Sequence, residues 1–262
     1  MQVKPLILIT NDDGIMAPGI KALVEVMREM GDIAIVAPDK PQSGMGHAIT
    51  INSTLRINKT NIHNVLYEFS CSGTPVDCVK IAVNKILPRK PDLCVSGINH
   101  GSNVSISVIY SGTMSAAVEG AIESIPSIGF SLCDHSIDAD FTSSKIIVKT
   151  IAENVLMNGL PEGACLNVNI PPLHIEEIKG IKVCRQAKAN WIEELDERKD
   201  PSGQSYYWLT GSFKNFEEGN KETDADALDC GFVSVVPVQF DMTAHKVIPI
   251  LNQWKFEIRK TS

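Results

Sequence analysis

The sequence predicts an α/β protein with a parallel-rich sheet covered by helices on both faces. Short apolar runs at Pro5–Thr10, Ile33–Ala37, Asp92–Ser96, Ser127–Leu132 and Cys165–Ile170 alternate with helical patterns. Such βαβ alternation places crossover helices over a shared parallel sheet. Several of the turns around these strands are rich in Gly, Asn, Asp and Ser, which is where open α/β sheets gather ligands.

The elements follow in order. Pro5–Thr10 reads as a buried strand, stopped by Asn11-Asp12-Asp13-Gly14. Ala17-Pro18-Gly19 then opens a helix in which Ile20, Leu23, Val24, Met27 and Met30 keep helical spacing up to Gly31. Ile33–Ala37 is the next strand, ended by Pro38, and residues 39–48 form a Gly/Pro/Ser-rich loop. Residues 49–57 and 65–69 read as an antiparallel pair around the polar turn 58–64. Thr74 caps a helix running to about Leu87, with Pro75 in its first position and Asp77 in its first turn.

Asp92–Ser96 leads into the polar loop Gly97–Gly112. A helix of small residues follows over Thr113–Ser124, then the strand Ser127–Leu132, a long helix over about 140–158, and the strand Cys165–Ile170. Beyond Pro172 the texture changes. Residues 179–186, 205–210 and 231–237 read as short strands, divided by the charged stretch Glu193–Asp200 and the polar stretch Lys214–Thr223. The half-apolar tail 247–259, with Trp254 and Phe256, needs a surface to dock on, in its own domain or a neighbouring subunit. The chain therefore reads as one domain over 1–262, with 1–172 as catalytic core and 173–262 as a hairpin and arm region.

Composition narrows the function. With 24 Lys+Arg against 31 Asp+Glu the net charge is −7, and no basic cluster marks a nucleic-acid surface. No apolar run reaches membrane-spanning length, and Met1–Lys4 lead straight into the first strand without a signal segment. Seven scattered cysteines without a Cys-x-x-Cys pair read as buried free thiols, which points to the cytoplasm.

Four polar clusters fall around the predicted strand ends, at residues 11–14, 43–46, 96–103 and 110–113. Two adjacent carboxylates at a strand end need a compensating cation or a set of donors. Asp12 and Asp13 with the amide of Asn99 and the hydroxyl of Ser43 make a hard oxygen set suited to Mg²⁺ or Mn²⁺. Adjacent extended residues point to opposite faces, so the chain must bend at Asp12-Asp13-Gly14 for both to meet one ion. Ser111-Gly112-Thr113 enters a helix whose free N–H groups form an anion cradle. Each feature also has an ordinary explanation: turn and cap chemistry for Asn11–Gly14, Asn99, Asn103 and 110–113, and solvated loop positions for Ser43, His47 and His100.

Other signatures fail. Asp138-Ala139-Asp140-Phe141-Thr142 has the Asp-x-Asp-x-Thr form of phosphatases that make an aspartyl-phosphate, but it precedes a helix where an apolar strand should end. Dinucleotide, P-loop and Gly-x-Ser-x-Gly motifs are missing.

Several segments resemble the SurE family of survival-protein 5′-nucleotidases: residues 7–14 with Ala17–Ile20, Ala37-Pro38-Asp39 with Gln42-Ser43-Gly44, Gly73–Val79, Ser96–Asn103, Tyr110–Thr113 with Ala116-Ala117 and Glu119-Gly120, and Thr223-Asp224 with Gly231–Val235 and Pro237. The resemblance implies a Rossmann-like α/β core with β-hairpin extensions and a swapped C-terminal arm that joins dimers or tetramers. It implies a metal-dependent phosphatase of nucleoside 5′-monophosphates, with 3′-monophosphates left open, and one divalent cation per subunit. The family's metal ligands carry over to Asp12, Asp13, Ser43 and Asn99, and its phosphate contacts to Asn103, Ser111, Gly112 and Thr113. At Val104–Val108 the chain departs from the glycine and acidic residues of many members.

Overall fold

The structure, a computed structural model, describes residues 4–136, 138–256 and 258. Eleven strands and six α-helices are ordered along the described chain. The strands are β1 (Leu6–Thr10), β2 (Asp32–Pro38), β3 (Ile57–Lys59), β4 (Tyr67–Cys71), β5 (Leu93–His100), β6 (Ser127–Leu132), β7 (Ala164–Ile170), β8 (Ile181–Val183), β9 (Ala189–Lys199), β10 (Ser205–Asn215) and β11 (Val233–Gln239). The helices are α1 (Pro18–Met27), α2 (Pro75–Ile81), α3 (Gly112–Ile122), α4 (Thr142–Asn158), α5 (Asp224–Asp229) and α6 (Ile248–Leu251).

One nine-stranded sheet runs β3-β4-β2-β1-β5-β6-β7-β11-β8. The six strands from β4 to β7 are all parallel, while β3 and β11 enter antiparallel to their neighbours β4 and β7. From β1 the chain builds outward through β2 and β4 on one side and through β5, β6 and β7 on the other. The strand order thus reverses between β1 and β5, which opens a crevice beyond their carboxyl ends.

Successive side chains of a strand point to opposite faces, and β1 shows the result. Ile7 and Ile9 join a core with α1, α4, Phe130 and Val168, whereas Leu8 joins Val36, Val79, Cys94 and Ala116 on the other face. Both faces are covered, as a parallel sheet requires.

Three local expectations change. The strand expected over 49–57 shrinks to β3, because residues 48–50 are tied to the start of α2: Thr74 Oγ1 donates to the Ala48 carbonyl (2.7 Å), and Thr50 N–H and Oγ1 donate to Asp77 (3.1 and 2.6 Å). The helix from Thr74 does start with its Thr74–Asp77 capping box and Pro75, but it stops at Ile81 and widens into a π-helical turn over Ala82–Ile86. The charged stretch Glu193–Asp200, read as a divider, lies largely within β9, an eleven-residue strand paired antiparallel with β10 in a separate two-stranded sheet. Its charges are tolerated because the ribbon projects into solvent.

The remaining differences are small. β5 extends through His100, and a 3₁₀ turn occupies Ser105–Ile109 within the expected loop. In the tail, residues 248–251 form α6, and Phe240, Met242, Ile250, Trp254 and Phe256 are exposed. Of residues 247–259, Glu257 and Arg259 lie outside the described residues, as do Met1–Val3. Among the described residues no helix is long and apolar enough to cross a membrane, and all seven cysteines are free.

Candidate active site

The crevice between β1 and β5 brings Asp12 against the start of α3 and Asp13 against His100 at the end of β5. At the end of β1, Asn11 Nδ2 donates to the Gly14 carbonyl (2.8 Å) and Gly14 takes a φ of +97°. This left-handed residue, easy only for glycine, turns the chain away just after the adjacent aspartates. Ile15 N–H bonds to the Pro38 carbonyl at the end of β2 (2.9 Å), which anchors the turn to the neighbouring strand.

Asp12 is buried beneath the start of α3. Thr113 Oγ1 donates to Asp12 Oδ1 (2.5 Å). The backbone of Gly112 lies so close that an added Cβ would stand 2.6 Å from Asp12 Cβ, so only glycine permits this approach. Burial pushes the Asp12 carboxyl from its ordinary 3.8 up to about 6; the Thr113 hydrogen bond opposes the rise and the neighbouring Asp13 charge adds to it.

Asp13 is half-buried. Its Oδ2 is shielded from solvent without a hydrogen-bond partner, and His100 Nδ1 stands 3.5 Å away. A buried carboxylate oxygen left unbonded is costly, and a cation is the natural partner. At the end of β5, Asn99 spends its Nδ2 on the Gly101 carbonyl (2.8 Å), which leaves Oδ1 as the atom able to ligate. Ser43 is exposed in the loop after β2, and that loop is drawn to the site by Gln42 N–H donating to the Asp12 carbonyl (2.7 Å). Among the described residues no group of three or more His, Cys, Asp or Glu side chains is arranged for a metal. A cation here must take amide and hydroxyl oxygens besides the two carboxylates, and this donor set fits Mg²⁺ or Mn²⁺.

Ser111 caps α3, its hydroxyl accepting from Met114 N–H (3.0 Å). The ordinary capping role is therefore real, and it also sets Gly112 and Thr113 beside Asp12, where the Thr113 backbone N–H, like its hydroxyl, donates to the carboxylate. Asn103 is held in a buried amide network: its N–H donates to Asn169 Oδ1 (2.7 Å), its Nδ2 to Ser131 Oγ (2.8 Å), and its carbonyl accepts from Asn167 Nδ2 (2.7 Å). These bonds make Asn103 a brace for its loop, and its Nδ2 keeps a second N–H beyond the one given to Ser131.

Sequence reasoning missed this brace. Asn167 and Asn169 alternate on one face of β7, and two buried amides in an apolar strand were the available signal. It named Thr223-Asp224 among the resembling segments but gave Asp224 no role; the side chain is fully buried and accepts from Ser105 N–H (2.8 Å), Ala187 N–H (2.9 Å) and Ala225 N–H (2.9 Å). Those bonds hold Ser105 at a φ of +54°, a strained conformation for a residue with a side chain. The Asp138–Thr142 segment, by contrast, is a helix start: Asp140 accepts from Thr142 N–H (2.9 Å) and Oγ1 (2.6 Å).

A cleft of about 610 Å³ opens beside Asp13, with Met16, Lys40, His100 and His135 among its walls. Residues 7–193 match the family model described as Survival protein SurE. The chain belongs to the SurE family.

A relative from Christiangramia forsetii named 5′-nucleotidase SurE is 66% identical over 253 residues, covering 96% of this chain and 97% of the relative. One of the same name from Flavobacterium psychrophilum is 64% identical over 252 residues, covering 96% of this chain and 98% of the relative. The crystal structure of the SurE protein from Aquifex aeolicus superposes with a TM-score of 0.83 at 40% identity, covering 95% of this chain and 98% of that one. The SurE-like α/β fold expected from the sequence is the observed one.

Proposed function

We propose that this chain is a metal-dependent phosphatase that hydrolyses nucleoside 5′-monophosphates to nucleoside and phosphate. The observation that carries the reading is the pairing of desolvated Asp12 and unbonded Asp13 Oδ2 with the N-terminus of α3. Cation side and anion side lie within one crevice, as phosphate-ester hydrolysis requires. The curated relatives bearing the name 5′-nucleotidase SurE support the substrate class.

Asp12, Asp13, Ser43 and Asn99 would hold one Mg²⁺ or Mn²⁺ per subunit. When bound, such an ion supplies Lewis-acid polarisation of a phosphoryl oxygen and acidifies a water. The protein's own groups do the rest. A carboxylate oxygen of Asp12 or Asp13 left off the ion would accept the proton of the attacking water. The N–H groups of Gly112 and Thr113 and the hydroxyl of Ser111 stabilise charge on the non-bridging oxygens, and Asn103 steadies the loop that faces them. The cleft walled by Met16, Lys40, His100 and His135 receives the nucleoside.

The catalytic work belongs to residues 1–172; within 173–262, where β8 and β11 complete the main sheet, the β9–β10 ribbon and the arm join a second copy in a homodimer or homotetramer. Cytoplasmic residence fits the seven free thiols.

Phosphate release from AMP and GMP is expected to stop with EDTA and to return with Mn²⁺ or Mg²⁺. Asp12→Ala, folded by circular dichroism, is expected to lose it. Undiminished turnover in that variant would overturn the reading, and a trapped phospho-enzyme on Asp12 would replace it with a covalent mechanism. A panel of 5′- and 3′-monophosphates decides the phosphate position.

A further inference from the structure

His47 stands outside the Asp12–Asp13 cluster, at the far end of the loop that carries Ser43. Its Nε2 lies 2.9 Å from Oε2 of Glu119, whose side chain is 1% exposed on α3. The other carboxylate oxygen of Glu119 accepts from Lys80 Nζ of α2 (2.5 Å). A carboxylate sunk among the small residues of α3 is expensive unless it is paired. Burial alone would raise the Glu119 carboxyl, but hydrogen bonds from His47 and Lys80 outweigh it and hold the group below its ordinary range. Lys80 supplies the permanent charge partner, and the contact to His47 in addition ties a separate segment of the chain to the same carboxylate.

What it does follows from the loop. Residues 43–45 and His47 are exposed. The loop meets the body through Gln42 N–H to the Asp12 carbonyl, Gly46 N–H to the Tyr110 carbonyl (3.1 Å) and the Ala48 carbonyl accepting from Thr74. His47 to Glu119 is a side-chain tie from this segment to α3, the helix whose first turn packs on Asp12. We propose that His47 and Glu119 are positioning residues: Glu119 grips the His47 ring and so sets the 41–48 loop, and Ser43 with it, against the α3 side of the site. The metal half of this inference rests on the reading of Ser43 as a ligand. The pair governs loop order and cation affinity, not the reaction at phosphorus.

The test uses the full chain and His47→Ala, a change at an exposed ring that leaves the Glu119–Lys80 pair intact. Hydrogen exchange of the bonded Gln42 and Gly46 amides in the metal-free protein is expected to quicken by about tenfold, with α3 unaffected. The Mn²⁺ concentration for half-maximal AMP hydrolysis is expected to rise about tenfold, with kcat at saturating Mn²⁺ held within roughly threefold. His47→Gln, whose amide also reaches Glu119, is expected to restore both. Unchanged exchange in His47→Ala, or no rescue by His47→Gln, would overturn the latch. Ser43→Ala runs in parallel: wild-type Mn²⁺ dependence there sinks the ligand reading and the metal half of this proposal, while the exchange data still judge the latch.

Discussion

β1 and β9 are both regular strands, and their side chains meet opposite fates. All five residues of Leu6–Thr10 are buried, whereas in Ala189–Lys199 only Ala189 is. The pairing strand β10 is likewise exposed almost throughout and carries Tyr206, Tyr207, Trp208 and Leu209 into solvent. Apolar burial is worth about 25 cal/mol per Å², so β1 is stabilised by its own sheet and helices. The ribbon forgoes that gain within one chain. Exposed aromatic stretches of this kind mark interaction surfaces. The core therefore folds on its own contacts, and the ribbon and arm complete theirs in the proposed assembly.

Substitutions can separate the two regions. The largest effect is expected at the core: Asp12→Asn should lower kcat for AMP by about a thousandfold or more while leaving assembly intact by sedimentation. Next comes Asp224→Ala, which orphans three buried N–H groups and should destabilise the protein by about 3 kcal/mol, lowering Tm by roughly 6–12 °C. In the ribbon, Trp208→Glu with Leu209→Glu should shift sedimentation toward the monomer, with turnover per chain changed by no more than about threefold. Equal loss of turnover and assembly in that variant would break the division between regions.

The smallest effect concerns pH. An acid with a raised pKa costs stability while ionised, so buried Asp12 penalises the metal-free fold above about 6 and not below 3.8. Asp12→Asn should therefore stabilise the metal-free protein at pH 8 by about 1–2 kcal/mol, a Tm gain of roughly 2–8 °C, and give no gain at pH 4. Scanning calorimetry at the two pH values checks the sign.

The same contrast explains what was readable in the sequence. β1, β2, β6 and β7 announce themselves because their apolar runs pack against partners in the same chain. β9 hides, because Glu193, Glu194, Asp196, Glu197, Arg198 and Lys199 give it the look of a solvated linker. The Asp12–Asp13–Gly14 bend and the Ser111 cap follow from local chemistry. The amide brace of Asn167 and Asn169, Asp224 acting on Ser105 from 119 positions away, and the Glu119 grip on His47 are long-range pairings. Residue spacing does not encode which distant partner a buried polar group will find.

The approach of α1 to β5 has a further consequence. A Cβ at Gly19 would collide with the Ile98 carbonyl, as one at Gly112 would with Asp12. At both glycines bare backbone is thus pressed on its neighbours, where no added side chain can be absorbed. Adaptation to another phosphate ester has to proceed at the rim, through exposed Met16 and the cleft residues Lys40 and His135. Libraries built on those three positions vary the rim and leave the packed backbone alone, while side chains placed at Gly19 or Gly112 force that backbone apart.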